Sequence, residues 1–179
     1  MASSPSVTEA EIMLALWSFL GSLDLADVDP DDIIQSQVNR VQEPKGANFI
    51  VMTPTHRRRL STNTETWDTA PSPAPAPTEM RYEKDTELTV QLDIHGPFGA
   101  DNATVIATLW RSAYACNAID RAIFQPLHAS DGHQTPFVNA EKQYENRWVM
   151  SLVLQANPSV STEAQFADTI DVNIVRTGP

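Results

Sequence analysis

The chain has 179 residues, a length that suits one domain able to bury a core unaided. Apolar residues make up 41% and charged residues 20%, an ordinary globular composition. A formal net charge of −11 argues against a chain drawn as a whole to nucleic acid or anionic membrane. The single cysteine, Cys116, excludes an intramolecular disulfide and a cysteine-rich zinc cluster.

Residues 1–8 carry no basic side chain, and the apolar stretch 12–20 is short and broken by Ser18. Neither has the make-up of a signal peptide, and no segment approaches the roughly 20 apolar residues that span a bilayer. Folding in a reducing cytosol is the expectation. Thr8-Glu9-Ala10-Glu11 has capping-box spacing, in which hydroxyl and carboxylate satisfy backbone donors at a helix start. Ile12, Leu16, Phe19, Leu20 and Leu23 then recur at three- and four-residue steps, which predicts an amphipathic helix over 9–23, with Gly21 near its end. Asp24, Asp27, Asp29, Asp31 and Asp32 follow in a loop that contains Pro30. Residues 33–38 alternate in part and read as a strand. Pro44-Lys45-Gly46 reads as a turn, and 48–53 (NFIVMT) as a second, largely buried strand.

Arg57, Arg58 and Arg59 form the only basic run. Two readings stand for this run and for the aspartates: solvated loops, or patches of opposite sign that meet between copies of the chain. Residues 61–79 break the strand pattern. Thr69 to Thr78 contains four prolines and no aliphatic side chain larger than alanine, so it cannot build a core or a sheet centre. Residues 61–79 therefore read as a projecting Pro/Ala-rich hairpin arm on a single domain spanning 1–179. Trp67 lies in its polar part (TNTETWD), where no local core can cover it, and suggests a partner surface.

Beyond the arm, Leu88, Val90, Leu92 and Ile94 alternate with Thr89, Gln91, Asp93 and His95, the mark of a half-exposed antiparallel strand. Gly96-Pro97 stops it. Asp101 is the expected cap of a helix whose apolar rows are Val105, Leu109 and Ala113, and Trp110 and Tyr114. Residues 116–124 extend or restart it. A polar loop follows around Asp131-Gly132, and 147–155 (RWVMSLVLQ) is the strongest strand, ended by Asn157-Pro158. Residues 162–168 read as a short helix and 170–175 as a last edge strand. The expected class is α+β: an antiparallel or mixed sheet with helices packed on one face.

No catalytic set emerges. The six glycines form neither GxGxxG nor GxxxxGK[ST], and no serine sits in GxSxG. Cys116 falls in a helical pattern, where a small buried hydrophobe is the expected role. His128, Asp131 and His133 could hold a divalent metal only if a turn gathered them, and Asp131-Gly132 is itself good turn chemistry. A small metal-dependent hydrolase on these three residues is the rival from another class. His95, at a strand end, and His56, beside the arginines, read as surface residues.

Several segments together resemble the phage tail or neck terminator family. They are 48–54 (NFIVMTP) with 60–63 (LSTN), 90–97 (VQLDIHGP), and the helix carrying Tyr114-Ala115-Cys116. Gln125-Pro126-Leu127, Gln134-Thr135-Pro136, and 141–148 (EKQYENRW) leading to 154–158 (LQANP) complete the series. The likeness is one of pattern and order over most of 8–175, and the Pro/Ala tract has no place in it. It implies a structural virion protein without cofactor that forms a sixfold ring at the head-proximal end of the tail. The partners it implies are further copies of the chain, the tail tube protein, the sheath protein if the tail contracts, and the head–tail connector or collar, with DNA passing through unbound. Arg57, Arg58, Arg59, Trp67, Asp24, Asp27, Asp31 and Asp32 are the expected subunit or partner contacts. Another ring-forming subunit, such as a tail tube or head-completion protein, is the nearest alternative.

Overall fold

The computed structural model describes residues 4–37, 44–68, 78–138 and 144–164. The capping box forms as its spacing predicts: Thr8 Oγ1 accepts from the Glu11 amide, and the Glu11 carboxylate accepts from the Thr8 amide at 2.7 Å. It opens α1 (Glu9–Gly21), whose buried face is Ile12, Met13, Leu16, Phe19 and Leu20. After the Asp-rich loop and a 3-10 turn (Pro30–Asp32), β1 (Ile33–Gln35) pairs in parallel with the start of β2 (Phe49–Arg59). β2 runs well past the predicted residue 53. β1 ends opposite Met52, and among the described residues no strand pairs with the rest of β2 on that side. Pro54, which has no amide hydrogen to give, is tolerated there, and the ladder to the next strand slips by one residue between Pro54 and His56.

β3 (Thr64–Asp68) and β4 (Thr78–Glu83) pair antiparallel, and β5 (Thr86–His95) returns alongside β2. α2 (Gly99–Trp110) and α3 (Ala113–Ala118) follow. The remaining strands are β6 (Gln125–Ala129), β7 (His133–Gln134), β8 (Phe137–Val138), β9 (Tyr144–Glu145), β10 (Arg147–Ala156) and β11 (Ser159–Ala164). The main sheet has the order β1-β2-β5-β10-β6, with β7 also on β10, and only the β1–β2 pair is parallel. The class is α+β, as the element order predicts. Leu88, Val90, Leu92 and Ile94 of β5 and Met150, Leu152 and Leu154 of β10 form one core with α1 and α2. Among the described residues no helix packs on the other face. Its most buried charge, Asp93, accepts from Arg147 Nη2 at 2.6 Å and from Gln91 Nε2 at 3.1 Å, which offsets the cost of burying a carboxylate.

The second sheet, in the order β11-β4-β3, is a distal continuation of the three central strands of the first. β2 leads into β3, β4 into β5, and β10 through Asn157-Pro158 into β11. The joint is stitched by the Leu60 amide to the Asp85 carbonyl and the Lys84 amide to the Pro158 carbonyl, both at 3.0 Å. Three expectations are corrected. Residues 162–164 belong to β11, not to a helix, because each has a register partner on β4. Asp101 is not the cap of α2: Phe98 holds that position with no side-chain bond. The buried face of α2 is Asn102, Ala103, Ile106 and Trp110, while Val105 is exposed. The Pro/Ala tract at 69–77 and the strand predicted over 170–175 lie outside the described residues.

Candidate functional site

The three arginines sit on the outer half of β2, in a strand and not in a loop. Strand geometry alternates their sides. Arg57, opposite Leu88, turns toward the helix layer and meets Glu9 at the start of α1 at 3.1 Å. Arg58, opposite Glu87, meets that carboxylate at 3.0 Å across the ladder. The Arg57–Glu9 pair is exposed on both sides and so contributes little to stability, whereas in the second pair Arg58 is exposed and Glu87 mostly covered; both arginines leave donor nitrogens for another partner.

The aspartates divide by role. Asp32 is only 7% exposed, and its two oxygens accept from the amides of Lys45 (2.8 Å) and Gly46 (3.0 Å). It holds the turn before β2 in place. Asp29 accepts from the Asp31 amide at 2.9 Å and so caps the 3-10 turn. Asp27 accepts from Asn48 Nδ2 at 3.0 Å, and the buried Asn48 takes the Phe98 amide on its other atom. Asp24 and Asp27 both adopt positive φ (49° and 55°), a conformation that aspartate tolerates better than most residues. The loop is pinned again by Asn102, whose amide group spans the backbone oxygen and nitrogen of Ala26. Asp24 and Asp31 are exposed.

These bonds place the two charge clusters at opposite ends of one strand. Asp27 is tied to Asn48, immediately before β2, and Arg59 is the last residue of β2. At about 3.3 Å per residue they stand roughly 35 Å apart. The structure does not bring basic and acidic runs together within the chain.

The distal sheet is amphipathic. Trp67, Met80 and Thr162 are in register, as are Glu65, Tyr82 and Val160, so all six side chains share one face. The Tyr82 hydroxyl donates to Met80 Sδ at 3.0 Å on that face, and Trp67 is 50% exposed. The opposite face presents Glu79, Arg81, Glu83 and Glu163 among its polar side chains.

The histidine turn does not converge. His128 lies exposed on β6 and His133 exposed on β7, while Asp131 meets Arg111 at 3.2 Å. Among the described residues, no three His, Cys, Asp or Glu side chains are grouped to hold a metal. Cys116 is half-buried in α3. His95, expected at the surface, is half-buried and stacks on Phe49 with centroids 4.3 Å apart and planes 7° from parallel. Burial, and then the charge of Arg147, lower its pKa below the ordinary histidine value.

Sequence reasoning missed a groove of about 300 Å³ along α2, lined by Ala100, Ala103, Thr104, Ala107, Arg111 and Trp148. Its signal was present as small residues at i, i+3, i+4 and i+7 on one helix face. Two glycines let the chain pack closely around the half-buried Trp148: a Cβ on Gly99 would stand 3.0 Å from the indole, and one on Gly132 would stand 3.2 Å from the Ala103 methyl and 3.6 Å from the indole.

Compared with known proteins, residues 10–178 match a family model described as phage neck terminator protein. No curated protein matches the chain.

Proposed function

The chain belongs to the phage neck terminator family, whose members are structural components of the phage neck and tail, and we propose that it closes the tail tube as a ring of identical subunits. The match over nearly the whole chain carries this reading. In the proposal the ring sits at the head-proximal end of the tail, halts addition of tube subunits (and of sheath, in a contractile tail), and offers its far face to the head–tail connector.

The geometry supports a head-to-tail contact between copies. A heterologous interface joins two different surfaces of each subunit, and a closed ring repeats that junction until it meets itself. Basic and acidic groups at opposite ends of β2 suit such a junction, with Arg57, Arg58 and Arg59 of one copy facing Asp24 and Asp31 of the next. Trp67 and the distal sheet form the arm that reaches a partner. A net charge of −11 would keep passing DNA from adhering to the ring.

Phage carrying an amber mutation in this gene, grown in a nonpermissive host, tests the proposal by electron microscopy. DNA-filled heads without tails, beside free tails of overlong or irregular length, are expected. Normal-length tails joined to heads would overturn termination, and filaments from the purified protein would favour a tube subunit.

A further inference from the structure

The exposed indole on the arm and the groove along α2 lie at opposite poles of the subunit. Trp148, in the groove, stands near the start of β10, whereas Trp67 is level with Thr162, fourteen residues further along the same strand path. At about 3.3 Å per residue the two are separated by on the order of 40 Å of strand path, and Trp67 does not line the groove of its own chain.

The groove is of a size to take the indole. A cavity of about 300 Å³ is at the lower limit for a small-molecule pocket, and suits one large side chain better than a nucleotide-sized ligand. Its walls mix the methyl groups of Ala100, Ala103 and Ala107 and the ring of Trp148 with the side chains of Thr104 and Thr108, a lining that can take an amphipathic aromatic such as an indole. At its rim the Arg111 guanidinium is held by the Ala129 carbonyl and by Asp131. Glu65 lies two residues from Trp67 on the same face of the arm, where a seated indole would bring its carboxylate toward that guanidinium.

We infer that the α2 groove is the receptor for Trp67 of a second copy of this chain. The inference rests on the self-association in the proposed function and specifies its contact. A knob at one pole and its socket at the other make the junction heterologous, so each subunit donates once and receives once. Tryptophan is the residue most enriched among side chains that dominate binding at protein interfaces.

Sedimentation velocity on three full-length chains tests this: wild type, Trp67→Ala, and Ala107→Phe, which fills the groove from the half-buried side of α2. Circular dichroism establishes that both variants fold. Each variant alone is expected to associate at least about tenfold more weakly than wild type. Mixed, they retain one intact arm and one intact groove, and should form a 1:1 pair and nothing larger. Trp67→Phe should recover part of the lost affinity. A wild type that associates while both variants associate equally well would overturn the Trp67 contact and leave the ring reading standing. A wild type that stays monomeric at millimolar concentration would overturn both. If Ala107→Phe fails to fold, Thr104→Gln, at an exposed position on the same wall, takes its place with the same expected outcome.

Discussion

Replacing Asn102 by alanine should loosen the acidic loop from the helix layer at a cost that can be worked from its contacts. The side chain is 1% exposed, accepts from the Ala26 amide at 2.8 Å and donates to the Ala26 carbonyl at 3.1 Å. Each bond contributes about 1 kcal/mol net, and the stranded Ala26 groups recover part of that from water because Ala26 is exposed. The loss is then about 2 kcal/mol. Asn102 lies inside α2, where alanine is the better helix former by about 0.5 kcal/mol. The net destabilisation is about 1.5 kcal/mol, or roughly 3–6 °C in Tm for a chain of this length. Urea unfolding followed by circular dichroism measures it, and hydrogen exchange should show the Ala26 amide losing protection before the core does. An unchanged or raised midpoint would refute the claim that Asn102 clamps the loop.

Gly96→Ala should be among the most damaging single changes, roughly 3 kcal/mol or more. Gly96 has φ of 103°, and a Cβ there would stand 2.3 Å from the Ala47 carbonyl oxygen and from Asn48 Oδ1; soluble variant of wild-type Tm would contradict this. Arg147→Met should cost about 2–3 kcal/mol by leaving Asp93 buried without its cation, and adding Asp93→Leu should restore most of the loss; additive single effects in a double-mutant cycle would refute that coupling. Stability should fall with pH in a part that depends on His95. Its native pKa is depressed, so its contribution is complete above the ordinary histidine value and is lost as pH falls toward the native pKa, where the unfolded chain alone binds the proton. Urea midpoints from pH 8 to pH 5 should therefore decline less in His95→Gln than in wild type. Reversing Arg57, Arg58 and Arg59 to glutamate should weaken self-association at low salt, with little effect at high salt, as light scattering would show.

Local pattern determined much of this protein directly. The capping box at Thr8 and Glu11, the three- and four-residue spacing of α1, and the alternation of residues 88–95 depend on neighbours a few positions away, so they are legible in one dimension. Even the family likeness rests on such short segments, and the family match bears it out. Pairing between distant segments decided the rest. Residues 162–164 have a sequence that a helix would accept, but β4 offers a register partner to each, and ladder bonds outweigh a weak local preference. Asp32 looks like its four neighbours in sequence, and only the fold brings the amides of Lys45 and Gly46 to it. The face of α2 that is buried, and the groove left along it, depend on where β10 sets Trp148. Helix periodicity specifies that one face is apolar, whereas the sheet it meets selects which atoms are covered. The separation of the arginines from the aspartates has the same origin, because β2 extends far beyond its apolar start by pairing with β5.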